Sequence, residues 1–228
     1  MPLSLDARFC GSVYIVRCQG EIVTGPAAKS LENFLAQHAR EFTRLVLSLG
    51  GITRIDSTGV GFIVRYASRL RRQGGDLRLA EPPSFLVHLL HITKLAEVMP
   101  VNRSEEEAIT ALLEQSAPPL SEKPGPRVLV LHPSLDICAF VSAVHRQHNF
   151  DVRPVCVLSD ARIVLGVEPV DFLLVGGGSS QSPVETALAT LTPRAPNAAV
   201  LRLPDDFDVR DADQASVTLL RMFPAGAP

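Results

Sequence analysis

The segment Ile55-Asp56-Ser57-Thr58-Gly59-Val60-Gly61 decides how the first half of the chain is read. Upstream, Leu45 to Leu49 (LVLSL) is a short continuous apolar run, which suits a strand buried on both faces. Downstream, Val60, Ile63, Val64, Ala67 and Leu70 recur at helical spacing, and Gly74-Gly75 stops the pattern. GGITRIDSTGVG therefore leads from an apolar strand region into the N-terminus of an amphipathic helix. Asp56, Ser57 and Thr58 are all residue types that cap the unpaired N–H groups of such a terminus. A hydroxyl there has a second use. A phosphate added to it would meet the positive end of the helix. It would also place roughly two negative charges on a surface patch, expelling a docked partner by repulsion and by the cost of dehydrating the phosphate. The pattern leaves both uses open, a plain cap or a switch.

The flanking sequence alternates strand and helix. Val13 to Cys18 (VYIVRC) is rich in β-branched and aromatic residues and predicts a strand, and Thr24-Gly25-Pro26 turns the chain. Leu31, Phe34, Leu35, His38 and Phe42 make one apolar helical stripe. Asp76 to Ala80 predicts a strand, Phe85 to Ile92 a short helix, and Val98 to Val101 a last strand. Ser104 with Glu107 forms a capping box for a final helix carrying Ala108, Ile109, Leu112 and Leu113. The order predicts an α/β layer structure. Arg65, Arg69 and Arg72 lie on the helix after Ser57, opposite its apolar stripe. They are either a basic strip for an acidic partner or a solvated helix face. His88 and His91 could hold a metal only with a third ligand, and none is in sight.

Residues 8 to 113 resemble the STAS family, in its anti-sigma factor antagonist type. The marks are Gly20-Glu21-Ile22 after the first strand, LVLSL before the loop, Ile55-Asp56-Ser57-Thr58-Gly59-Val60-Gly61, and Gly74-Gly75-Asp76-Leu77 before the next strand. The resemblance implies that Ser57, the serine directly after the aspartate, is phosphorylated by an anti-sigma factor serine kinase and dephosphorylated by a PP2C-type phosphatase, with Thr58 as the alternative acceptor. It implies that the unphosphorylated form binds the anti-sigma factor and frees the sigma factor. Asp56, Thr58, Gly59, Arg65 and Arg69 are then the expected partner-binding residues. The family often carries an aspartate two residues after the glutamate of its Gly-Glu motif, where this chain has Val23. That departure predicts a different or weaker engagement of the partner.

Gln115 to Pro126 (QSAPPLSEKPGP) holds four prolines in twelve residues, which removes backbone donors and forbids helix. The expected organisation is a STAS domain over 1–115, a Pro-rich linker over 116–126 and a second domain over 127–228. In the second, Val128 to Leu131, Val152 to Val157, Phe172 to Val175 and Ala198 to Leu203 predict strands. They alternate with helical segments at Asp136 to His148, Asp160 to Leu165, Val184 to Leu191 and Gln214 to Phe223. Four β-α units predict a doubly wound parallel sheet with ligand chemistry at the strand carboxyl ends. The residues there are His132-Pro133, Gly176-Gly177-Gly178 and Arg202 to Pro204. The triple glycine is followed by no Gly-Lys-Ser/Thr and lacks the G-x-G-x-x-G spacing, so it is neither a phosphate loop nor a dinucleotide fingerprint. It is a flexible turn or a crevice for a small molecule.

This half resembles a response-regulator receiver domain of flavodoxin-like topology, on its element order and on Val170-Asp171-Phe172-Leu173-Leu174-Val175. The resemblance implies a degenerate receiver. His132 and Pro133 replace the acidic pair, Gly176 stands at the phosphoacceptor position, and Arg202 at that of the hydroxyl. Without carboxylates there is no magnesium cage and no nucleophile for phosphoryl transfer. What remains is a partner surface or a homodimer contact. His145 and His148 lie on one helix with no carboxylate or thiol to complete a metal set.

Composition bounds these expectations. With 228 residues, 46% apolar and 20% charged, the chain buries a core and is not disordered. A net charge of −2 and a pI near 6.3 argue against direct nucleic-acid binding. Cys10, Cys18, Cys138 and Cys156 form no CxxC pair, so neither a zinc ribbon nor a dithiol motif is expected, only free thiols in a reducing cytosol. The start MPLSLDARFC is not a secretory signal, and no apolar run is long enough to span a bilayer. The sequence thus predicts a cytoplasmic, non-enzymatic signalling adaptor without cofactor or metal. It acts either as a phosphorylation-switched antagonist of an anti-sigma factor or as a constitutive structural STAS subunit of a stressosome-like or transporter-associated complex.

Overall fold

Val13 to Ile22 alternates its buried side chains with Arg17, Gln19 and Glu21, as a strand with covered faces must near its exposed end. This strand anchors the first of two compact units in a computed structural model that describes residues 2–38, 42–115, 125–177 and 183–223. The units are Met1–Arg8 with Ser12–Gln115, and Phe9–Gly11 with Ser116–Pro228. The predicted linker falls, except for Gly125 and Pro126, outside the described residues.

The elements of the first half run β1 (Ser4–Cys10), β2 (Val13–Ile22), α1 (Pro26–His38), β3 (Arg44–Ile55), α2 (Ser57–Arg72), β4 (Asp76–Ala80), α3 (Ser84–Ile92), β5 (Val101–Asn102) and α4 (Glu105–Glu114). The strands lie in the order β5-β4-β3-β2-β1, and β2 through β5 are parallel. Leu45 to Leu49 is buried throughout, as its continuous apolar run requires. Tyr14, Ile15, Leu31, Leu35, Leu47, Ile63, Leu70 and Leu79 are among the fully buried side chains of this core. The Tyr14 ring stacks on Phe42 at 4.5 Å and on His38 at 5.6 Å. Phe42 therefore joins the core, although α1 ends at His38.

Three expectations need correction. β1 had no counterpart in the predicted order. The Gly50-Gly51-Ile52-Thr53-Arg54 stretch is strand, not loop: β3 runs on to Ile55 by bulging twice, with one extra residue between Ser48 and Gly51, opposite Arg17 to Gln19, and another between Ile52 and Arg54, opposite Gly20 and Glu21. Val98 is exposed after a short 3-10 turn at Leu95–Glu97, so the last strand shrinks to Val101–Asn102. Half of the Ser104 box is present: Ser104 Oγ accepts from the Glu107 N–H at 3.1 Å, but Glu107 Oε2 accepts from the N–H of Arg103, one residue before the cap, at 2.7 Å.

The second unit contains β6 (Arg127–Leu131), α5 (Leu135–Gln147), β7 (Asp151–Val155), α6 (Leu158–Val167), β8 (Phe172–Val175), α7 (Pro183–Leu191), β9 (Ala199–Arg202) and α8 (Ala212–Met222). Its strands are parallel in the order β7-β6-β8-β9, so the chain reverses its winding direction between β6 and β8. Val128, Val130, Val141, Phe172 and Leu174 are core, joined by a ring cluster of Phe150, Phe172, Phe223 and His145. Arg127 and Arg153 bridge Asp151 and Glu168 at the start of β6 and β7.

Candidate functional site

Ile22 and Ile55 are paired at the ends of β2 and β3, and the Asp56 N–H donates to Ile22 O at 3.2 Å. This pairing brings the loop after β2 against the start of α2. Asp56 is the N-cap of α2: its Oδ1 accepts from the Gly59 N–H at 2.9 Å. Its Oδ2 accepts from both the N–H and the hydroxyl of Thr24, each at 2.7 Å. Thr24 Oγ1 is also 2.8 Å from Thr58 Oγ1. With its one proton given to Asp56, the Thr24 hydroxyl accepts from Thr58. The donors from Thr24 and Gly59 hold the Asp56 carboxyl down at about 2, so it is ionised under all ordinary conditions.

Ser57 is the first residue of α2 and is exposed. Its neighbours on both sides are committed to the Thr24 chain, and its hydroxyl has no part in that chain. Among the described residues, the site thus offers an exposed hydroxyl outside that chain at the positive end of a sixteen-residue helix, beside a fixed carboxylate. Thr58 is exposed as well, but its hydroxyl is engaged.

Gly59, expected among the partner-binding residues, is buried. A Cβ there would lie 2.6 Å from Ile22 O and 2.9 Å from Ile55 Cγ1. Its place is a packing contact that lets the first turn of α2 sit on the strand ends, and it presents nothing to a partner. Gly61 differs, since its nearest neighbour is Arg65 Nη1 at 3.3 Å. The Arg65 guanidinium therefore lies back along the helix over Gly61, towards the turn that carries Ser57. Arg65, Arg69 and Arg72 are all exposed, whereas Arg71 pairs with Asp76 at 2.7 Å. Val23 is partly exposed beside Thr24.

Thr24 is the site residue that sequence reasoning missed. Thr24-Gly25-Pro26 was legible only as a turn, and nothing local signals a contact with a residue so distant in the chain. Glu105 was missed too. It is buried and accepts from Arg17 Nε at 2.6 Å and from Arg8 Nη2 at 2.8 Å, tying α4 to β1 and β2.

His88 and His91 are exposed on α3, while His145 is buried and His148 exposed on α5. Among the described residues, no group of three or more His, Cys, Asp or Glu side chains converges. No described helix is long and apolar enough to cross a membrane. In the second unit, Leu131, Pro133, Val175, Gly176 and Cys156 help line a cavity of about 310 Å³ at the carboxyl ends of the strands. Gly178 lies outside the described residues. His132 is buried, with Nδ1 accepting the Ser134 N–H at 3.0 Å, and its burial lowers its pKa. Arg202 is exposed and pairs with Glu185 at 2.6 Å.

Comparison with known proteins gives the following. The family model for the STAS domain matches residues 4–108. The Anti-sigma F factor antagonist of Paenibacillus polymyxa is 27% identical over 114 residues, covering 49% of this chain and 97% of that protein. BtrV of Bordetella bronchiseptica, a candidate anti-sigma factor antagonist, is 31% identical over 98 residues, covering 42% of this chain and 84% of that protein. A solved candidate anti-sigma factor antagonist of Thermotoga maritima is 19% identical with a TM-score of 0.45, covering 47% of this chain and 93% of that one.

Proposed function

Because the chain belongs to the STAS family through residues 4–108, in its anti-sigma factor antagonist type, we propose that it is an anti-sigma factor antagonist switched by phosphorylation at Ser57. In this reading the unmodified first unit binds an anti-sigma factor that is also the serine kinase. A PP2C-type phosphatase resets it, and all of this takes place in the cytoplasm. The chain acts as a binding module. The second unit is a receiver-like domain without phosphoryl chemistry, and it serves as a fixed surface for a partner or a second copy.

One observation carries the proposal: Ser57 is exposed at the helix entrance while Asp56 and Thr58 are held in the Thr24 hydrogen-bond chain. A kinase has access to the Ser57 oxygen without dismantling the cap. A dianion placed there gains the helix end but faces the ionised Asp56, and a partner seated on α2 would have to dehydrate both. Arg65 and Arg69 supply positive charge on the same exposed helix.

The test is incubation of the full chain with its cognate anti-sigma kinase and ATP, site mapping by mass spectrometry, and titration of partner binding. A single phosphate on Ser57 is expected, with none on Ser57→Ala. Ser57→Asp should bind the partner at least about tenfold more weakly, or about 1.4 kcal/mol. Phosphate at another residue, or equal binding of Ser57→Asp and wild type, overturns the switch. A stable complex that ignores both substitutions points instead to a constitutive structural subunit.

A further inference from the structure

Two of the four cysteines meet at the carboxyl end of the second unit's sheet. Cys138, in the first turns of α5, is fully buried, and its Sγ lies 3.3 Å from His132 O and 3.8 Å from Val155 O. Cys156 follows directly after β7 and packs against the core cluster that holds Cys138. It is partly exposed and forms part of the wall of the 310 Å³ cavity. Neither is in a disulfide.

We propose that Cys156 and Cys138 are a peroxide-oxidisable pair that closes to a reversible disulfide. The two residues have distinct parts. The interaction with Cys156, followed by burial, pushes the Cys138 thiol up, so Cys138 keeps its proton, which it directs at His132 O. Cys156 is the sulfur that a small oxidant reaches through the cavity, and as thiolate it is the nucleophile. The thiolate attacks one oxygen of hydrogen peroxide. An S–O bond forms, the O–O bond breaks, and the departing hydroxide takes up a proton as water. The Cys156 sulfur has lost two electrons and is a sulfenic acid. Cys138 then attacks that sulfur, forming the S–S bond and giving up its proton as the sulfenic oxygen leaves as a second water. The sum is two thiols and one peroxide converted to one disulfide and two waters.

Position separates this pair from the other thiols. Cys18 is buried on β2 in the first unit, where desolvation pushes its thiol up to about 12, and it does not line the cavity that Cys156 lines. The bond would fasten the N-terminal part of α5 to the end of β7, beside His132 and Pro133. Oxidation would therefore act on the same crevice that the reversal of winding creates between β6 and β8.

The experiment treats the full-length reduced chain with stoichiometric hydrogen peroxide, blocks remaining thiols with a maleimide, and maps peptides by mass spectrometry without reduction. The expected result is loss of two alkylatable thiols, a linked peptide joining Cys138 to Cys156, and restoration by dithiothreitol. Cys138→Ser should leave Cys156 as a sulfenic acid captured by dimedone, and Cys156→Ser should leave Cys138 alkylatable only after unfolding. The wild-type peptide map stands alone if a serine variant fails to fold. Full alkylation of Cys156 after peroxide, first oxidation at Cys10 or Cys18, or conversion of Cys156 to sulfinic acid with no linked peptide overturns the proposal.

Discussion

Thr24 and Asp56 are joined twice, since the backbone N–H and the hydroxyl of Thr24 both donate to Asp56 Oδ2 at 2.7 Å. The loop after β2 is thereby fastened to the cap of α2, and the place where Ser57 emerges is set by this clamp. The cap does two jobs with one carboxylate: Oδ1 satisfies the helix, and Oδ2 holds the neighbouring loop.

The clamp should be visible in acid. The Asp56 carboxyl sits at about 2 when folded, below its ordinary 3.8, so the unfolded chain binds more protons between those values. The stability it contributes is complete above the higher value and is lost as pH falls through the lower one. Asp56→Asn should unfold at less urea than wild type near neutral pH, and the gap should narrow below about pH 4. Urea midpoints across that range decide the matter. Parallel curves for the two proteins would remove Asp56 as the titrating clamp.

Gly59 and Gly61 lie two residues apart in one helix turn and should respond to alanine in opposite ways. At Gly59 the new methyl would meet Ile22 O at 2.6 Å, a backbone atom held in the sheet. The strain should cost about 1–3 kcal/mol. At Gly61 the methyl would meet only the Arg65 guanidinium at 3.3 Å, at the tip of an exposed side chain. Removing a helical glycine there should stabilise by up to about 1 kcal/mol. Denaturant melts of both variants test the pair, and a tolerated Gly59→Ala would contradict the close approach of α2 to Ile22.

Glu105 is a second carboxylate held low, for a different reason. Burial alone would raise it, but hydrogen bonds from Arg17 and Arg8 outweigh burial and bring it to about 2. Glu105→Gln leaves two guanidinium groups facing a neutral amide. The loss should be about 2 kcal/mol, below the range for a fully buried pair because the Arg17 side chain is 50% exposed. Since the folded value lies below the ordinary one, this contribution also vanishes as pH falls towards 2. The check is the urea midpoint of Glu105→Gln at neutral pH, where a wild-type value would make the triad energetically idle.

The helix entrance was legible because its signals are local. Asp56, Ser57 and Thr58 are cap residues beside an apolar stripe, and α2 begins at Ser57. The parallel strands of the second unit were legible for a like reason, as uninterrupted runs such as Phe172 to Val175. β1 carries an alternation of Leu5, Ala7 and Phe9 with Asp6 and Arg8, but Leu5 and Ala7 are only half-buried, so the apolar signal is diluted. Gly50-Gly51 has the composition of a turn, yet it lies at a bulge of β3 that keeps the strand paired with β2. Thr24 and Glu105 depend on contacts over 32 and 88 residues of sequence, and pattern reading has no access to such partners.

His145 should make the second unit acid-sensitive well above the carboxylate range. The side chain is fully buried among Phe150 and Phe223, with Nδ1 against Val141 O at 2.9 Å and Nε2 without a partner among the described residues. Burial lowers its pKa, and the nearby His148 pushes in the same direction. A histidine depressed in the folded state takes up its proton more readily when unfolded. Stability is therefore complete well above the ordinary value of 6.5 and declines as pH falls below it. His145→Phe should flatten that decline and cost little, since the pocket is already aromatic. Thermal melts from about pH 8 to about pH 5 decide it, and an unchanged slope in His145→Phe would assign the titration to another group.

Gly176 sits where the receiver resemblance puts a phosphoacceptor, and the structure closes that position. A Cβ there would lie 2.7 Å from Leu203 Cβ and 3.2 Å from His132 Cδ2, both on buried residues. An aspartate would have to displace Leu203 from the core and bury a charge where His132 and Pro133 offer no cation or metal cage. Gly176→Asp should therefore destabilise the second unit by about 3 kcal/mol and gain no acyl phosphate from acetyl phosphate with magnesium. A Gly176→Ala control separates the two effects: the methyl alone should carry part of the strain, near 1–2 kcal/mol by the usual cost of about one extra carbon in a packed core. If Gly176→Asp folds as stably as wild type and becomes phosphorylated, the crevice is an open acceptor site that lost only one side chain. If both variants are destabilised in that order, the packing of Leu203 and His132 closes the position to an acceptor side chain.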